Sequence, residues 1–463
     1  MTRTLSELWE TAADRTPGAT ALVFDDTPVP FGELRARVDH LAEQLRSKGF
    51  GRGSLIGLCM SNTPDLVVTL LAIWRIDGVV VELNPSVPEG ARAEAARQVG
   101  AVTLIGEDSL AAGSLLDIPR FDEETVRSDP GLACINMTSG TSGPPKNVML
   151  SHENLVRNAE LYIRYFELTR DDRTCLVLPL YFGMNKIALL AHLALGATVL
   201  LEASASIPNR TLATMEAHGA TGLCAVPASI RSILSRGDLS RFPVRTLRYV
   251  RIGAGRVPRP LMDELRSAFP TTEIYLTYGL TEMGLVAVLS DSEFDRRPDS
   301  CGRVIEEVDV TVTPSGEIVV RCDHAASGYW RDPARTAAVF LSEGLHTGDL
   351  GRLDADGYLY LTGRQKEMIK SGGENISSEW VEQVILRHEA VADCAVVGVP
   401  DDWLGEAIIA VVVPEPGRAL DERELQRHCK DELPPIARPK RFILRDEIPR
   451  NETGKIMRAE LLW

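Results

Sequence analysis

Apolar residues in this chain change period again and again, and that alternation limits the possible folds more than any other feature. Leu34, Val38, Leu41 and Leu45 recur at helical spacing, whereas Ser54 to Met60 reads as a buried strand. Pro64 to Ile76 then reads as a helix and Val79 to Leu83 as a strand. The rhythm returns with a helix over Asn154 to Tyr165, a strand over Cys175 to Pro179, a helix over Asn185 to Leu195 and a strand over Thr198 to Leu201. A helix over Asn209 to His218 and a strand over Gly222 to Val226 continue it. Such a chain is expected to be α/β, with parallel sheets covered by helices.

The texture shifts between about Arg303 and Leu361. Short alternating strands (Val308 to Val312, Glu317 to Arg321, Tyr358 to Thr362) predict a small antiparallel, barrel-like subdomain over 303–361. After Gly363-Arg364 the pattern restarts. Trp380, Val381 and Val384 give an apolar stripe on a helix, Cys394 to Val399 and Ala407 to Val413 read as strands, and Leu425 to Leu433 as a helix. The expected organisation is a large N-terminal domain over 1–364 and a small α+β C-terminal domain over 365–463. The short polar stretch at Gln365 and Lys366 between them suits a hinge or, equally, a simple loop.

The chemistry concentrates first in Thr138-Ser139-Gly140-Thr141-Ser142-Gly143-Pro144-Pro145-Lys146, which follows an apolar run. Hydroxyls and bare backbone N–H groups donate hydrogen bonds, glycine admits close approach, and lysine adds a full positive charge. That mixture suits a polyphosphate better than it suits an ordinary polar loop. The spacing is not that of a Walker A loop, because Lys146 is followed by Asn147 and Pro449 stands five residues before Gly454. Gly253-Ala254-Gly255 lacks the third glycine of a dinucleotide fingerprint.

Three more stretches carry chemistry only in combination. Tyr278-Gly-Leu-Thr281-Glu282 follows an extended apolar run, and a glutamate beside a threonine there suits Mg²⁺ and a phosphate oxygen; alone, Glu282 reads as a solvated carboxylate. Thr347-Gly-Asp349 precedes Gly363-Arg364; Asp349 suits a ribose diol, although Thr-Gly-Asp alone is a common turn. Asn451-Glu-Thr-Gly-Lys455 ends in a lysine that alone would be a surface residue.

In order, spacing and residue type these stretches, with Gly363-Arg-Gln-Lys366 and Gly372-Gly-Glu-Asn375, resemble the adenylate-forming acyl ligase superfamily. The likeness runs from about Leu5 to Arg458. It implies an enzyme in which an acid attacks the α-phosphate of ATP, giving acyl-AMP and pyrophosphate, after which a thiol takes the acyl group. By position it implies that Thr138, Ser139, Gly140, Thr141, Ser142, Gly143 and Lys146 hold the β,γ-phosphates and that Gly253, Ala254 and Gly255 flank adenine. Tyr278 would stack on adenine, Thr281 contact the α-phosphate, Glu282 hold Mg²⁺, Asp349 bind ribose and Arg364 ribose or phosphate. Lys455 would be the catalytic lysine. Rotation about Lys366 would exchange its face of a mobile lid for the Lys370-Ser-Gly-Gly373 face and open a thiol tunnel.

Departures from the pattern shape the expected substrate. Gly183 stands where amino-acid-activating members place an aspartate, so a substrate ammonium would be left unpaired at a cost of at least several kcal/mol. The acid is therefore expected to lack an α-amino group and to lie against Phe182, Gly183, Met184, Ile187, Val226 and Tyr278, a wall suited to aryl, alkyl or alkenyl groups. Lys186 is expected to face solvent, the alternative being contact with a second acidic group. Asn147, where the family usually has glycine, is expected to keep a left-handed turn.

The acceptor is expected to be CoA. A stand-alone enzyme loading the phosphopantetheine arm of an acyl or peptidyl carrier protein is the alternative, as is a variant that passes another small acid to an amine. A non-catalytic binding protein is disfavoured because Lys455, Glu282 and Asp349 are all present. The formal charge of −15 argues against nucleic acid and anionic membrane as partners. The longest apolar run, Ile187 to Leu201, is broken by His192 and Gly196 and is too short to cross a bilayer. Eight scattered cysteines without CxxC spacing read as reduced thiols of a cytoplasmic protein, not as zinc ligands or disulfides.

Overall fold

Helix Pro64–Arg75 shows how the sequence enforces layers. Thr63 caps it by accepting from the Leu66 N–H at 3.3 Å, and Pro64 occupies the first turn, where its missing N–H costs nothing. Leu66 through Trp74 are buried without a break. A helix that is apolar all round must be covered on every side. Trp74 also donates its indole N–H to the Ala133 carbonyl at 2.9 Å, tying the helix to strand Leu132–Thr138. Truncating so large a buried ring typically costs about 3–5 kcal/mol.

The computed structural model describes residues 4–462, apart from 112–113, 116–117, 119–120, 122–130, 139–145, 203–206, 366–367, 372–373, 402, 419 and 452–453. Among the described residues, one five-stranded sheet runs in the order Thr103–Gly106, Leu55–Cys59, Val79–Glu82, Leu132–Thr138, Lys146–Ser151. Its first four strands are parallel, and the last returns antiparallel to Leu132–Thr138. The stretch between Thr138 and Lys146 therefore connects two paired strands. Strand Lys146–Ser151 went unseen in the sequence because its polar ends hide the buried Val148 and Leu150.

A 14-stranded sheet holds the rest of the large unit. Thr20–Phe24, Thr198–Leu201, Arg173–Leu176, Gly222–Ala225, Tyr249–Ile252 and Glu273–Leu280 form its parallel part. The antiparallel strands expected after Arg303 are present and continue this same sheet through Gly284–Ser290. One apolar core, with Trp9, Phe31, Trp74, Tyr162 and Phe166, spans the helices between the two sheets.

Residues 368–444 supply a second five-stranded sheet, with helices Ser378–Ile385 and Glu422–Glu432 against it and apolar cores of its own. On helix Ser378–Ile385, Val381, Val384 and Ile385 are buried. Trp380 departs from the expected stripe and is exposed, since a residue adjacent to Val381 lies about 100° around the helix.

Candidate active site

Strand Glu273–Leu280 is parallel to one neighbour, Tyr249–Ile252, and antiparallel to the other, Gly284–Ser290. In sheets with parallel strands, ligands bind in the crevice outside the carboxyl ends of the strands. A cleft of about 1790 Å³ lies there.

Its floor is a turn after strand Tyr249–Ile252. Ala254 takes a left-handed φ of 60°. A Cβ on Gly253 would sit 2.8 Å from Met184 Sδ and 3.0 Å from Thr277 Oγ1, so glycine lets the turn lie directly on both. Ala254 and Gly255 line the cleft, with Gly253 beneath them.

Above the turn, Tyr278 is buried and donates its hydroxyl to Asp349 Oδ2 at 2.7 Å. Burial, reinforced by the Asp349 charge, pushes this phenol well above its ordinary range, so it stays a donor. Asp349 lies directly opposite Arg364 in the ladder, and Arg364 Nε is 2.7 Å from its Oδ1. The turn before Asp349 is braced. Thr347 Oγ1 accepts from the Asp349 N–H at 3.0 Å, and Glu317 accepts from the Gly348 N–H at 3.1 Å. His346 Nδ1 is 2.9 Å from Glu317, whose hydrogen bond raises the imidazole above its usual value.

A second polar cluster sits where the strand Lys146–Ser151 starts. Lys146 Nζ is 3.3 Å from both Glu282 Oε1 and the Tyr329 hydroxyl, and Tyr329 donates to the same carboxylate oxygen at 2.8 Å. Tyr329 was not anticipated. It follows Glu282 by 47 residues with no motif around it, and it reaches the cluster because its backbone bridges to Val148. Thr281 lines the cleft beside Glu282. Thr138 ends the strand opposite Lys146, while Ser139, Gly140, Thr141, Ser142 and Gly143 lie outside the described residues, as does Lys366.

Glu282 offers the hard oxygen that Mg²⁺ prefers. Among the described residues no three His, Cys, Asp or Glu side chains gather to hold a metal. A single carboxylate of this kind fits an ion that arrives on phosphate oxygens and keeps its waters.

The acid end is apolar. Phe182 precedes helix Gly183–Leu195, and Phe182, Gly183, Val226 and Tyr278 line the cleft. A Cβ on Gly183 would meet nothing within 4 Å. Met184 and Ile187 depart from the expected wall. Met184 turns onto Gly253, and Ile187, a turn later, joins the core, so both stand behind the lining.

The C-terminal turn reaches this wall. A Cβ on Gly454 would lie 3.3 Å from Val226 Cγ2, and Lys455 lines the cleft. Asn451 Oδ1 accepts from the Lys455 N–H at 2.9 Å, and Arg450 donates to the Gly454 carbonyl at 2.9 Å while pairing with both oxygens of Asp393.

Two expectations are corrected. Lys186 does not face solvent: it is fully buried, with Nζ 2.5 Å from Glu82 Oε2 and 2.7 Å from Asn136 Oδ1. Its partner lies 104 residues away, beyond the reach of any local pattern. Asn147 makes no left-handed turn. It is an extended strand residue opposite Met137, and its carbonyl accepts from the Trp330 N–H at 2.8 Å.

A helix-covered sheet with a cleft at its strand ends, a lysine–carboxylate cluster and a second small unit lining the opening defines a nucleotide-dependent acid-activating enzyme. Residues 9–330 match the AMP-binding enzyme family and residues 380–455 the AMP-binding enzyme C-terminal domain, and the chain belongs to that family. It is similar to the indoleacetate–CoA ligase of Aromatoleum aromaticum, with 32% identity over 99% of this chain and 97% of that protein. It is also similar to a feruloyl-CoA synthase of an Amycolatopsis species, with 33% identity over 97% and 96%. Among solved structures it resembles the o-succinylbenzoate CoA synthetase of Bacillus subtilis bound to the acyl-adenylate intermediate, with 27% identity, 98% of each chain covered and a TM-score of 0.85. The same synthetase with ATP and a magnesium ion aligns with a TM-score of 0.84, 26% identity and 98% of each chain covered.

Proposed function

We propose that this enzyme joins an aromatic or other apolar carboxylic acid to coenzyme A through an acyl-AMP intermediate. The observation that carries the reading is the seating of the Lys455 turn against Val226, between the apolar wall and the charged end of the cleft.

The residues divide the labour. Tyr278 presents a ring beside the Ala254–Gly255 turn, where adenine lies, and Asp349 and Arg364 take the ribose. Lys146 and Thr281 meet phosphate oxygens, and Glu282 would hold magnesium, which would supply charge neutralisation on the polyphosphate. One carboxylate oxygen of the acid attacks the α-phosphorus; the bond to the bridging oxygen breaks and pyrophosphate leaves. The Lys455 ammonium offsets charge that gathers as two anions approach, an effect that is strong in a water-poor cleft. In the second step the CoA sulfur attacks the acyl carbon, AMP departs, and the thiol proton goes to solvent. Residues 365–463 act as the mobile lid over the domain 1–364.

An apolar wall with Gly183 in place of a carboxylate supports an acid without an α-amino group. The names of the indoleacetate and feruloyl relatives carry aromatic acyl groups, which fit the same wall. No described helix is long and apolar enough to cross a membrane, and we place the enzyme in the cytoplasm, where ATP and CoA are available.

Incubation with ATP, Mg²⁺, CoA and a panel of aryl acids, followed by mass spectrometry, tests the acceptor. The expected products are an acyl-CoA and AMP. Hydroxamate trapping without any CoA thioester, or transfer only to a phosphopantetheinylated carrier protein, would show that the acceptor is another nucleophile.

A further inference from the structure

Beside Gly183 lies a polar cluster that the mechanism above does not use, with Glu82 and Asn136 in the cleft lining and Lys186 fully buried behind them. Glu82 ends strand Val79–Glu82, and Asn136 stands directly opposite it, two residues before strand Leu132–Thr138 gives way to the phosphate loop. Lys186 comes from the first turn of the helix that presents Gly183 to the cleft. Its ammonium donates to Glu82 at 2.5 Å and to Asn136 Oδ1 at 2.7 Å. The Asn136 amide donates in turn to the Tyr181 carbonyl at 3.0 Å, just before that helix. The Cys134 thiol closes the cluster, 3.1 Å from Asn136 Oδ1 and 3.4 Å from Lys186 Nζ.

Such an arrangement is poorly explained by stability alone. A buried ion pair gains little over well-packed apolar residues of the same volume. This one joins three elements through polar side chains: the strand feeding the phosphate loop, its neighbour, and the acid-pocket helix. In-line attack needs the carboxylate oxygen and the phosphorus aligned at about 3–3.5 Å, and misplacement by about 1 Å can cost a hundredfold in rate.

We propose that Lys186, with Glu82 and Asn136, is a positioning residue: the cluster fixes the acid-pocket helix against the phosphate-loop strand and so aligns the acid carboxylate with the α-phosphate. The inference rests on the acid-adenylating function above. It also assigns the Lys186 charge to Glu82, which leaves it no role in binding a second carboxylate of the substrate.

The test is a paired variant, Lys186→Met with Glu82→Leu, which removes both charges and keeps the volume. Adenylate formation, read by pyrophosphate exchange, should lose about tenfold to a hundredfold in kcat. The KM values for acid and ATP should stay within about threefold, as expected when alignment and not binding is lost. Thioester formation from a supplied acyl-adenylate should be unchanged, because that substrate arrives with its bond already made. Full recovery of exchange in the paired variant would reduce the cluster to packing and overturn the proposal. If the paired variant does not fold, Asn136→Ala decides, since it keeps the ion pair and cuts the link to Tyr181; it should show the same split between the two half-reactions, and equal loss in both, or none, overturns the proposal. A wild-type enzyme that exchanges pyrophosphate with no acid would instead defeat the adenylating function itself.

Discussion

The two ends of the cleft are built on opposite principles. At the nucleotide end, Tyr278, Asp349 and Arg364 form one polar group and Lys146, Glu282 and Tyr329 another. Within each group the side chains hold one another by hydrogen bonds and ion pairs. At the acid end the wall is apolar, and its most telling residue, Gly183, leaves open space beside the cleft. The first end spends its side chains on charge and orientation; the second offers shape. The contrast teaches that one nucleotide-handling apparatus can serve many acids, because specificity sits in a separate set of residues.

Breaking the link between the ends should have the largest effect. Lys455→Ala removes the ammonium that serves both, and should lower adenylate formation by about 10²–10³-fold. The same variant should still convert a supplied acyl-adenylate to thioester, and a two-stage assay separates the steps. Next comes the nucleotide end alone. Asp349→Ala deletes the proposed acceptor for the ribose diol and removes a partner of Tyr278 and Arg364. A lost charged hydrogen bond of about 1.5–3 kcal/mol should raise the KM for ATP by about ten- to a hundredfold. The KM for the acid, measured alongside, should move little.

The acid end should fail differently. Gly183→Leu projects a side chain into open space, so folding should be unaffected and the unfolding midpoint unchanged. A pocket shortened by a few methylenes discriminates by about 1–3 kcal/mol per group, so kcat/KM for bulky aryl acids should fall at least tenfold while short acids retain theirs. The reverse pattern, with ATP affinity lost and acid preference kept, would erase the proposed division.

The smallest effect concerns stability. His192, on the acid-pocket helix, is fully buried; its Nδ1–H donates to the Ala188 carbonyl at 2.7 Å, and burial pushes its pKa down to about 4. A depressed value means that the folded state resists a proton that the unfolded chain accepts near 6.5. Stability is therefore complete above pH 6.5 and declines as pH falls toward 4. His152 and His324, also lowered by burial, act in the same direction. Denaturant titrations across this range should show a shallower decline in His192→Asn.

Much of this was legible in the sequence, for reasons that differ by region. The parallel strands announced themselves because strands buried on both faces are continuous apolar runs. The residues proposed for the nucleotide end stand out in the sequence because they travel in short motifs, such as Thr347-Gly-Asp349. What stayed hidden depends on contacts between distant positions. Tyr329 meets Glu282 through a backbone bridge, and Lys186 meets Glu82 across two elements. Composition gave Lys186 a surface role because a lysine is buried only when paired, and nothing local revealed the pair. Met184 and Ile187 lie on the helix that carries Gly183 but not in the cleft lining, since the outline of a pocket is set by packing and not by proximity in sequence.

The central claim is that this cleft couples a carboxylate to the α-phosphate of ATP. Acid-dependent exchange of labelled pyrophosphate into ATP, run without CoA across aryl, alkyl and amino acids, tests it most directly. The account predicts exchange with aryl or other apolar monocarboxylates, its loss in Lys455→Ala, and none with α-amino acids. Exchange driven only by amino acids would contradict the acid pocket, and absence of exchange with every acid would contradict the enzyme.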